Sequence, residues 1–371
     1  MGRLQTRAKR QLILETGEVF SGWAFGHSEE SQGEVVFGTG MTGYQEVLTD
    51  PSYCGQIVVM TYPLVGSYGL NLEDDEANKP YLNGFVVKEA QRHPSNWRSR
   101  YSLDEMLQRH SIPGLEGIDT RRLTRSIRSH GTLLGRMCGP DADIQRVVED
   151  LKASQKVQYP VAKVSCEQPY LVPGQGLRIA LVDFGLKRGI LRDLVASGCR
   201  VMVYPYDVSA EDILKDAPDG VLLSNGPGDP RQVPSAIPMI QGLLGKVPLF
   251  GICMGYQLLA LACGAQTEPL KFGHRGSNHP VRCLADNRVR ITSQNHGYTV
   301  LPNSLADTGL AITHVSVNDG TMEGIEHSAW PAFGVQFHPE ASPGPMDSQD
   351  LFGRFLDGVA AWKGETNAKA L

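Results

Sequence analysis

Gly251-Ile-Cys253-Met-Gly255 sets a thiol between two glycines, where the strand-like VPLFGI meets the helix-like MGYQLLALACG. This is the form of a nucleophile elbow, with cysteine in the serine position. The flanking glycines permit a tight strand-to-helix turn and leave room around the side chain. A thiol at a helix N-terminus faces unpaired backbone N–H groups and the positive end of the helix dipole, and both favour the thiolate. Buried cysteine is also common in protein cores, and this chain has seven. The motif alone does not separate a nucleophile from a packed thiol.

A cysteine nucleophile needs a base, and the base needs orienting. Among ten histidines His338 stands out, because WPAFGVQF reads as a strand running into His338-Pro339-Glu340. Proline keeps the residue before it extended, and side chains two apart in extended chain point the same way. Glu340 can then hold one imidazole nitrogen of His338 and leave the other toward a thiol. A surface turn with incidental charges is the competing reading. Cys253 and His338 lie 338 − 253 = 85 residues apart, so only the fold could join them. A third stretch, Asn225-Gly226-Pro227-Gly228-Asp229-Pro230, offers backbone N–H groups that could bind an oxyanion or a substrate's polar end. Alone it reads equally as a tight loop.

The elements that must position these groups alternate from about residue 177. RIALVDFG, CRVMVYP, DGVLLSNG and VPLFGI read as strands, separated by KRGILRDLVASG and IPMIQGLLGK as helices. Such alternation predicts a doubly wound, mostly parallel sheet, whose ligands gather at the carboxyl ends of strands. NGPGDP, ICMGYQ and FHPE all fall at such ends. The first half is different: short strand-like pieces (QLILETGEVFSGWAFG, GEVVFGTG, GQIVVMTYP, NGFVVKEA) with helices such as SLDEMLQRH and DTRRLTRSIRSHG. Residues 141–158 read as one amphipathic helix with Asp141 as its cap, and the Pro- and Gly-rich 168–176 as a linker.

With 371 residues the chain has room for two domains, and its net charge of −5 gives no electrostatic case for nucleic acid or an anionic membrane. The cysteines are odd in number, irregularly spaced and without a CxxC pair, which suggests neither a disulfide framework nor a zinc site and points to a reducing, cytoplasmic setting. MGRLQTRAKRQL has no apolar core for a secretory signal. It matches the short myristoylation pattern through Gly2 and Thr6, a match that arises easily by chance. No run is long enough to span a membrane.

NGPGDP, then G-I-C-x-G-x-Q, then FHPE, in that order, resemble the class I glutamine amidotransferase family over roughly 177–365. GYQEVLTDPSYCGQIVVMTYPLVGSYG, GIDTRRLTRSIRSHGTLLG, DFGLKRGILRDL and KFGHRGSNHPV resemble the small-subunit family of carbamoyl phosphate synthetase, across nearly the whole chain. The resemblance implies a small-subunit N-terminal domain over 1–167, a linker over 168–176 and an amidotransferase domain over 177–365. It implies glutamine hydrolysis to glutamate and ammonia, with Cys253 as nucleophile, His338 as base and Glu340 as its orienter. The N–H groups of Met254 and Gly226 would form the oxyanion hole. Gly228, Gln257, Ser52, Asn295, Gly297 and Tyr298 would hold the glutamine. The implied partner is a large synthetase subunit in a cytoplasmic heterodimer or higher assembly. That subunit would carry the ATP and divalent metal and make carbamoyl phosphate for arginine and pyrimidine synthesis, with no cofactor in this chain. Met254 stands where the family usually has leucine, Tyr256 where it has histidine, and Tyr298 where it has phenylalanine.

Other signals carry less. Gly38-Thr-Gly40-Met-Thr-Gly43 fits G-x-G-x-x-G, but no clear βαβ unit closes around it, so it reads as a turn. His274, His279 and His296 lack metal-site spacing and read as structural or loop residues. Arg121, Arg122, Arg125 and Arg128 read as a solvated helix face or an interface to an acidic partner. No G-x-x-x-x-G-K-[ST] loop occurs, so nothing suggests ATP binding in this chain. Two rival functions stand beside the glutaminase subunit: a stand-alone cysteine amidohydrolase, and a non-catalytic regulatory subunit. The N-terminal half counts against the first, and the intact Cys253, His338 and Glu340 set against the second.

Overall fold

The computed structural model describes residues 7–369, so Gly2 and Thr6 of the myristoylation match lie outside the described residues. The chain divides into two compact units, Met1–Gln158 and Tyr159–Leu371. This boundary precedes the expected one at 167, because Val161 is packed in the second unit's core, and the supposed linker belongs to that unit as well. Tyr170-Leu-Val172 is an edge strand, paired antiparallel with residues 201–203, and therefore part of the second unit's sheet.

The first unit contains strands β1 (Lys9–Leu14), β2 (Val19–Gly26), β3 (Ser31–Gly38), β4 (Gln56–Met60), β5 (Leu64–Val65), β6 (Gly84–Val87), β7 (Glu89–Ala90), β8 (Pro113–Glu116) and β9 (Leu133–Cys138). Seven of them close a barrel in the order β1-β2-β8-β6-β4-β3-β9, while β5 and β7 pair separately. Its helices are α1 (Tyr44–Thr49), α2 (Leu103–Arg109), α3 (Thr120–His130) and α4 (Ile144–Ala153). Helix α2 begins at a capping box of Ser102 with Glu105, and α4 begins at Asp143, whose side chain accepts from the Arg146 N–H. The helix expected over 141–158 is thus shorter at both ends. One core gathers Phe25, Val36, Leu48, Val58, Phe85 and Leu107. The arginines of α3 all face solvent, as a solvated face would.

A parallel β3–β4 pairing spans α1, so a short βαβ crossover does close around the G-x-G-x-x-G match, contrary to expectation. The helix is only six residues long and carries Glu46 in its first turn. An acidic side chain there opposes the phosphate binding that this motif would need.

The second unit is one ten-stranded sheet: β10 (Tyr170–Val172), β11 (Arg178–Asp183), β12 (Arg200–Pro205), β13 (Gly220–Leu223), β14 (Leu249–Ile252), β15 (Thr267–Cys283), β16 (Val289–Val300), β17 (Leu310–Ser316), β18 (Met322–His327) and β19 (Ala332–Val335). The order is β10-β12-β11-β13-β14-β19-β18-β17-β15-β16. The five strands from β12 to β19 are parallel, as expected. The other five join through antiparallel pairs at the two sides. Helices are α5 (Val161–Val164), α6 (Arg188–Ala196), α7 (Ala210–Lys215), α8 (Ala236–Leu243), α9 (Met254–Ala262) and α10 (Asp350–Lys369).

The apolar strands divide by parity between two cores, which is why their sequences read as unbroken hydrophobic runs. Ala180, Val182, Val221 and Leu223 face one core with Leu258 and Leu259 of α9. Ile179, Leu181, Leu222 and Phe250 face the other with Phe352 and Phe355 of α10. Among the described residues no helix is long and apolar enough to cross a membrane.

Candidate active site

Cys253 sits between β14 and α9 with φ 53° and ψ −101°. A non-glycine residue held there stores roughly 1–3 kcal/mol of strain, so its surroundings must impose the conformation. They do so through three backbone bonds. The Cys253 N–H donates to Val335 O at 2.9 Å, the Gly255 N–H to Ser224 O at 3.0 Å and the Gln257 N–H to Cys253 O at 3.1 Å. The glycines are dictated by contact. A Cβ on Gly255 would lie 2.2 Å from Leu223 O, and one on Gly251 would lie 2.6 Å from Gly255 O. Strand, elbow and helix therefore fit only with glycine at both 251 and 255. The thiol is buried, with Asn295 O at 3.8 Å and the amide Nε2 of Gln336 at 3.6 Å from its sulfur.

His338 follows β19 through Gln336 and Phe337, and its N–H donates to Ser293 O of β16 at 2.9 Å. Alternation sends Phe337 into the core and His338 to the opposite side. Its Nδ1 lies 2.6 Å from Glu340 Oε1, whereas its Nε2 is buried without a hydrogen-bond partner. Lys187, which begins α6, completes a line of charges that the sequence did not suggest. Its Nζ donates to Glu340 Oε1 at 2.9 Å and to Ala341 O at 2.7 Å, and the side chain is only 3% exposed.

Burial alone would favour neutral forms of both His338 and Glu340. For His338 the Glu340 carboxylate and the Cys253 sulfur overcome burial and raise the imidazole's pKa. For Glu340 the Lys187 ammonium and then His338 overcome it and lower the carboxyl's pKa. The imidazolium's contribution to stability is complete below the ordinary histidine value of about 6.5 and lost as pH rises through the raised one. The carboxylate's contribution is complete above about 4.3 and lost as pH falls through the lowered value. The melting midpoint of the native chain is therefore expected to fall between pH 6.5 and 10, and to fall less in His338→Asn, by calorimetry.

The loop after β13 brings Gly226 against the β11 end, where a Cβ would meet Phe184 O at 2.2 Å. Asn225 Oδ1 accepts the Lys187 N–H at 3.0 Å, tying this loop to the charge line. Among the described residues neither the Gly226 nor the Met254 N–H has an acceptor, Met254 being the first helical position. Gly228 follows with φ +87°. Only the Met254 backbone would face a ligand there, so Met254→Leu, a swap of similar volume, is expected to leave the turnover of the site within about twofold.

Lys187, Gly226, Cys253 and His338 thus follow β11, β13, β14 and β19, four neighbouring strands, at their carboxyl ends. Gln257, on α9, donates from Nε2 to Tyr298 O at 3.0 Å and to Gln336 Oε1 at 2.9 Å. Asn295, Gly297 and Tyr298 lie together on β16. Ser52 lies in the first unit, buried on the turn Pro51–Tyr53, with its N–H donated to Asp50 Oδ1 at 2.8 Å.

The family described as carbamoyl-phosphate synthase small chain, CPSase domain, matches residues 12–137, and glutamine amidotransferase class-I matches 180–357. The carbamoyl phosphate synthase pyrimidine-specific small chain of Halalkalibacterium halodurans is 60% identical over 348 residues, 94% of this chain and 96% of that protein. The chain belongs to the carbamoyl phosphate synthase small-chain family. The Bacillus caldolyticus carbamoyl phosphate synthase small chain is also 60% identical over 94% of this chain and 96% of its own length. The pyrimidine-specific small chain of Bacillus subtilis is 57% identical over 97% and 98%. Against the family pattern noted above, Tyr256 is fully buried in this small chain's core, and its hydroxyl donates to Met322 O at 3.3 Å.

The histidines first read as structural also converge in part. His274, His296 and Glu323 have donor atoms within 4.8 Å of one another, a ligand set that spacing did not reveal. Each imidazole is engaged by protein groups. His274 Nε2 lies 2.7 Å from Asp319 Oδ2 and its Nδ1 3.5 Å from Glu323 Oε1, while His296 Nδ1 lies 2.8 Å from Tyr298 O. Burial opposes charge on His274, but the two carboxylates raise its pKa.

Proposed function

We propose that this chain hydrolyses L-glutamine to glutamate and ammonia, and passes the ammonia to a large synthetase chain that makes carbamoyl phosphate. The observation that carries this reading is His338, with Nδ1 on Glu340 and its other nitrogen left for the sulfur of a cysteine held on a strained elbow. In the reaction, Cys253 gives its thiol proton to His338 Nε2, and Sγ attacks the side-chain amide carbon to form a C–S bond. The amide oxygen becomes an oxyanion that the Met254 and Gly226 N–H groups can meet. His338 passes a proton to the departing nitrogen, the C–N bond breaks, and a thioester with free ammonia remains. His338 then takes a proton from water as it attacks the thioester, which releases glutamate and the thiol. Glu340, held by Lys187, keeps Nδ1 of His338 protonated so that Nε2 performs both transfers.

In this proposal Gly228, Gln257, Asn295, Gly297 and Tyr298 bind the glutamine. The large chain is the partner in a cytoplasmic heterodimer or higher assembly and carries the ATP and divalent metal. Product serves pyrimidine synthesis, in keeping with the names of the Halalkalibacterium and Bacillus subtilis relatives, and arginine synthesis as well. The test is glutamate release by the purified chain, alone and with the large chain. Release that rises with the partner supports the reading. Equal release without it favours a stand-alone amidohydrolase, and none in either case favours a regulatory subunit.

A further inference from the structure

We propose that Gln336 is a positioning residue for the nucleophile: its side-chain NH2 donates to the Cys253 sulfur and holds the thiolate in place for attack. The inference rests on Cys253 being the nucleophile. Gln336 is fully buried in a stretch, Phe333-Gly-Val-Gln-Phe337, that is otherwise apolar. A polar side chain in such a place costs free energy unless it is bonded, so its partners define its role. Its Nε2 lies 3.6 Å from Cys253 Sγ, and its Oε1 accepts from Gln257 Nε2 at 2.9 Å. Two residues before His338, it leaves the extended chain on the same side as the base.

Which end of the amide meets the sulfur follows from the hydrogen-bond network rather than from atom labels. Tyr298 O can only accept, and Gln257 Nε2 donates to it at 3.0 Å. The amino end of Gln257 is thereby fixed, and that same amino group also faces Gln336. Gln336 must answer with its oxygen, which turns its NH2 toward the sulfur.

Besides His338, two polar neighbours of the sulfur suit its two protonation states. Asn295 O, 3.8 Å away, can accept from a thiol S–H but offers only lone pairs to a thiolate. Beside the His338 imidazolium, the Gln336 NH2 supplies a second donor to the thiolate, in a charge-assisted bond. When the C–S bond forms, the sulfur's charge passes to the oxyanion and this bond weakens. Gln336 neither gives nor takes a proton, and being neutral it does not compete with Glu340 for His338.

The test compares native protein with Gln336→Met, which keeps length and loses both bonds, and Gln336→Glu, which keeps an acceptor for Gln257 but turns a carboxylate oxygen toward the sulfur. Three quantities are read: the rate of iodoacetamide modification at Cys253 at pH 7.5, followed by peptide mass spectrometry; kcat and KM for glutamine with the large chain; and the melting midpoint. Gln336→Met is expected to lower the modification rate and kcat each by about tenfold, with KM within about threefold. Gln336→Glu is expected to lower them by about a hundredfold. Modification and kcat within twofold of native in a folded variant would overturn the proposal, as would a loss confined to KM or to the melting midpoint. If Gln336→Met does not fold, Gln336→Glu, the closer match in shape, decides. Failure of the underlying reading shows differently: native protein would then release no glutamate that depends on Cys253, whatever residue 336 is.

Discussion

Cys253→Ala is expected to lower glutamine-dependent carbamoyl phosphate synthesis in the complex by about four orders of magnitude or more, while synthesis from added ammonia continues at the native rate. Alanine removes the sulfur and little else. It must adopt the same φ of 53°, so the strain at the elbow is unchanged, and the three backbone bonds that impose it involve no side-chain atom. The cavity left by one sulfur costs a small part of a domain's stability. No other group is placed to replace it: His338 and Glu340 remain, but an alkyl side chain cannot form the thioester on which the route depends. Cys253→Ser should be nearly as inactive, because a hydroxyl yields its proton far less readily than a thiol. The measurement is product formation from glutamine and from ammonium chloride in parallel. A glutamine rate within tenfold of native would show that Cys253 is a core thiol and that the elbow serves packing alone.

His338→Asn is the second large effect, a fall in kcat of about three orders of magnitude with KM changed by less than about threefold. Asparagine is too short to occupy the Nε2 position, so neither the departing ammonia nor the attacking water has its proton carrier. The fold should tolerate the change because Glu340 keeps the Lys187 ammonium at 2.9 Å and is not left as a lone buried charge. Lys187 is the more dangerous position for stability, since its loss strips the carboxylate of its strongest partner. Circular dichroism and steady-state kinetics on the same His338→Asn preparation separate the two effects. A folded variant that kept more than a tenth of native kcat would place the proton carrier elsewhere.

The second unit was largely legible in the sequence because its strands are buried on both faces and its helices are closed by glycine, as at Gly198 and Gly264. The barrel was not: its seven strands are short and return to one another from distant positions, β1 pairing with β9 across more than a hundred residues. The 168–176 stretch misled because proline and glycine flank a three-residue strand that turns alone would also explain. At the site, the spacing of His338 and Glu340 carried real geometric information, since alternation over two residues is local. Lys187 was invisible because 153 residues separate it from Glu340, and a lysine before a helix is unremarkable. Gln336 could have been found by counting two back from His338, where an amide interrupts an apolar strand. His274, His296 and Glu323 meet only because the long strands β15 and β16 and the short β18 bring them together.

Closure of the barrel has a consequence for association between copies. Its seven strands leave no unpaired row of N–H and C=O groups, so another chain cannot extend it by strand addition. The catalytic unit's sheet is open and ends in two edges, β10 and β16. The first is only three residues long, a poor template. The second is twelve residues long and carries exposed Val289 and Ile291, but Arg290 between them is paired with Asp350 of α10 at 2.8 Å. A charged side chain held at such a place is one of the ways in which sheet edges are kept from pairing with another chain.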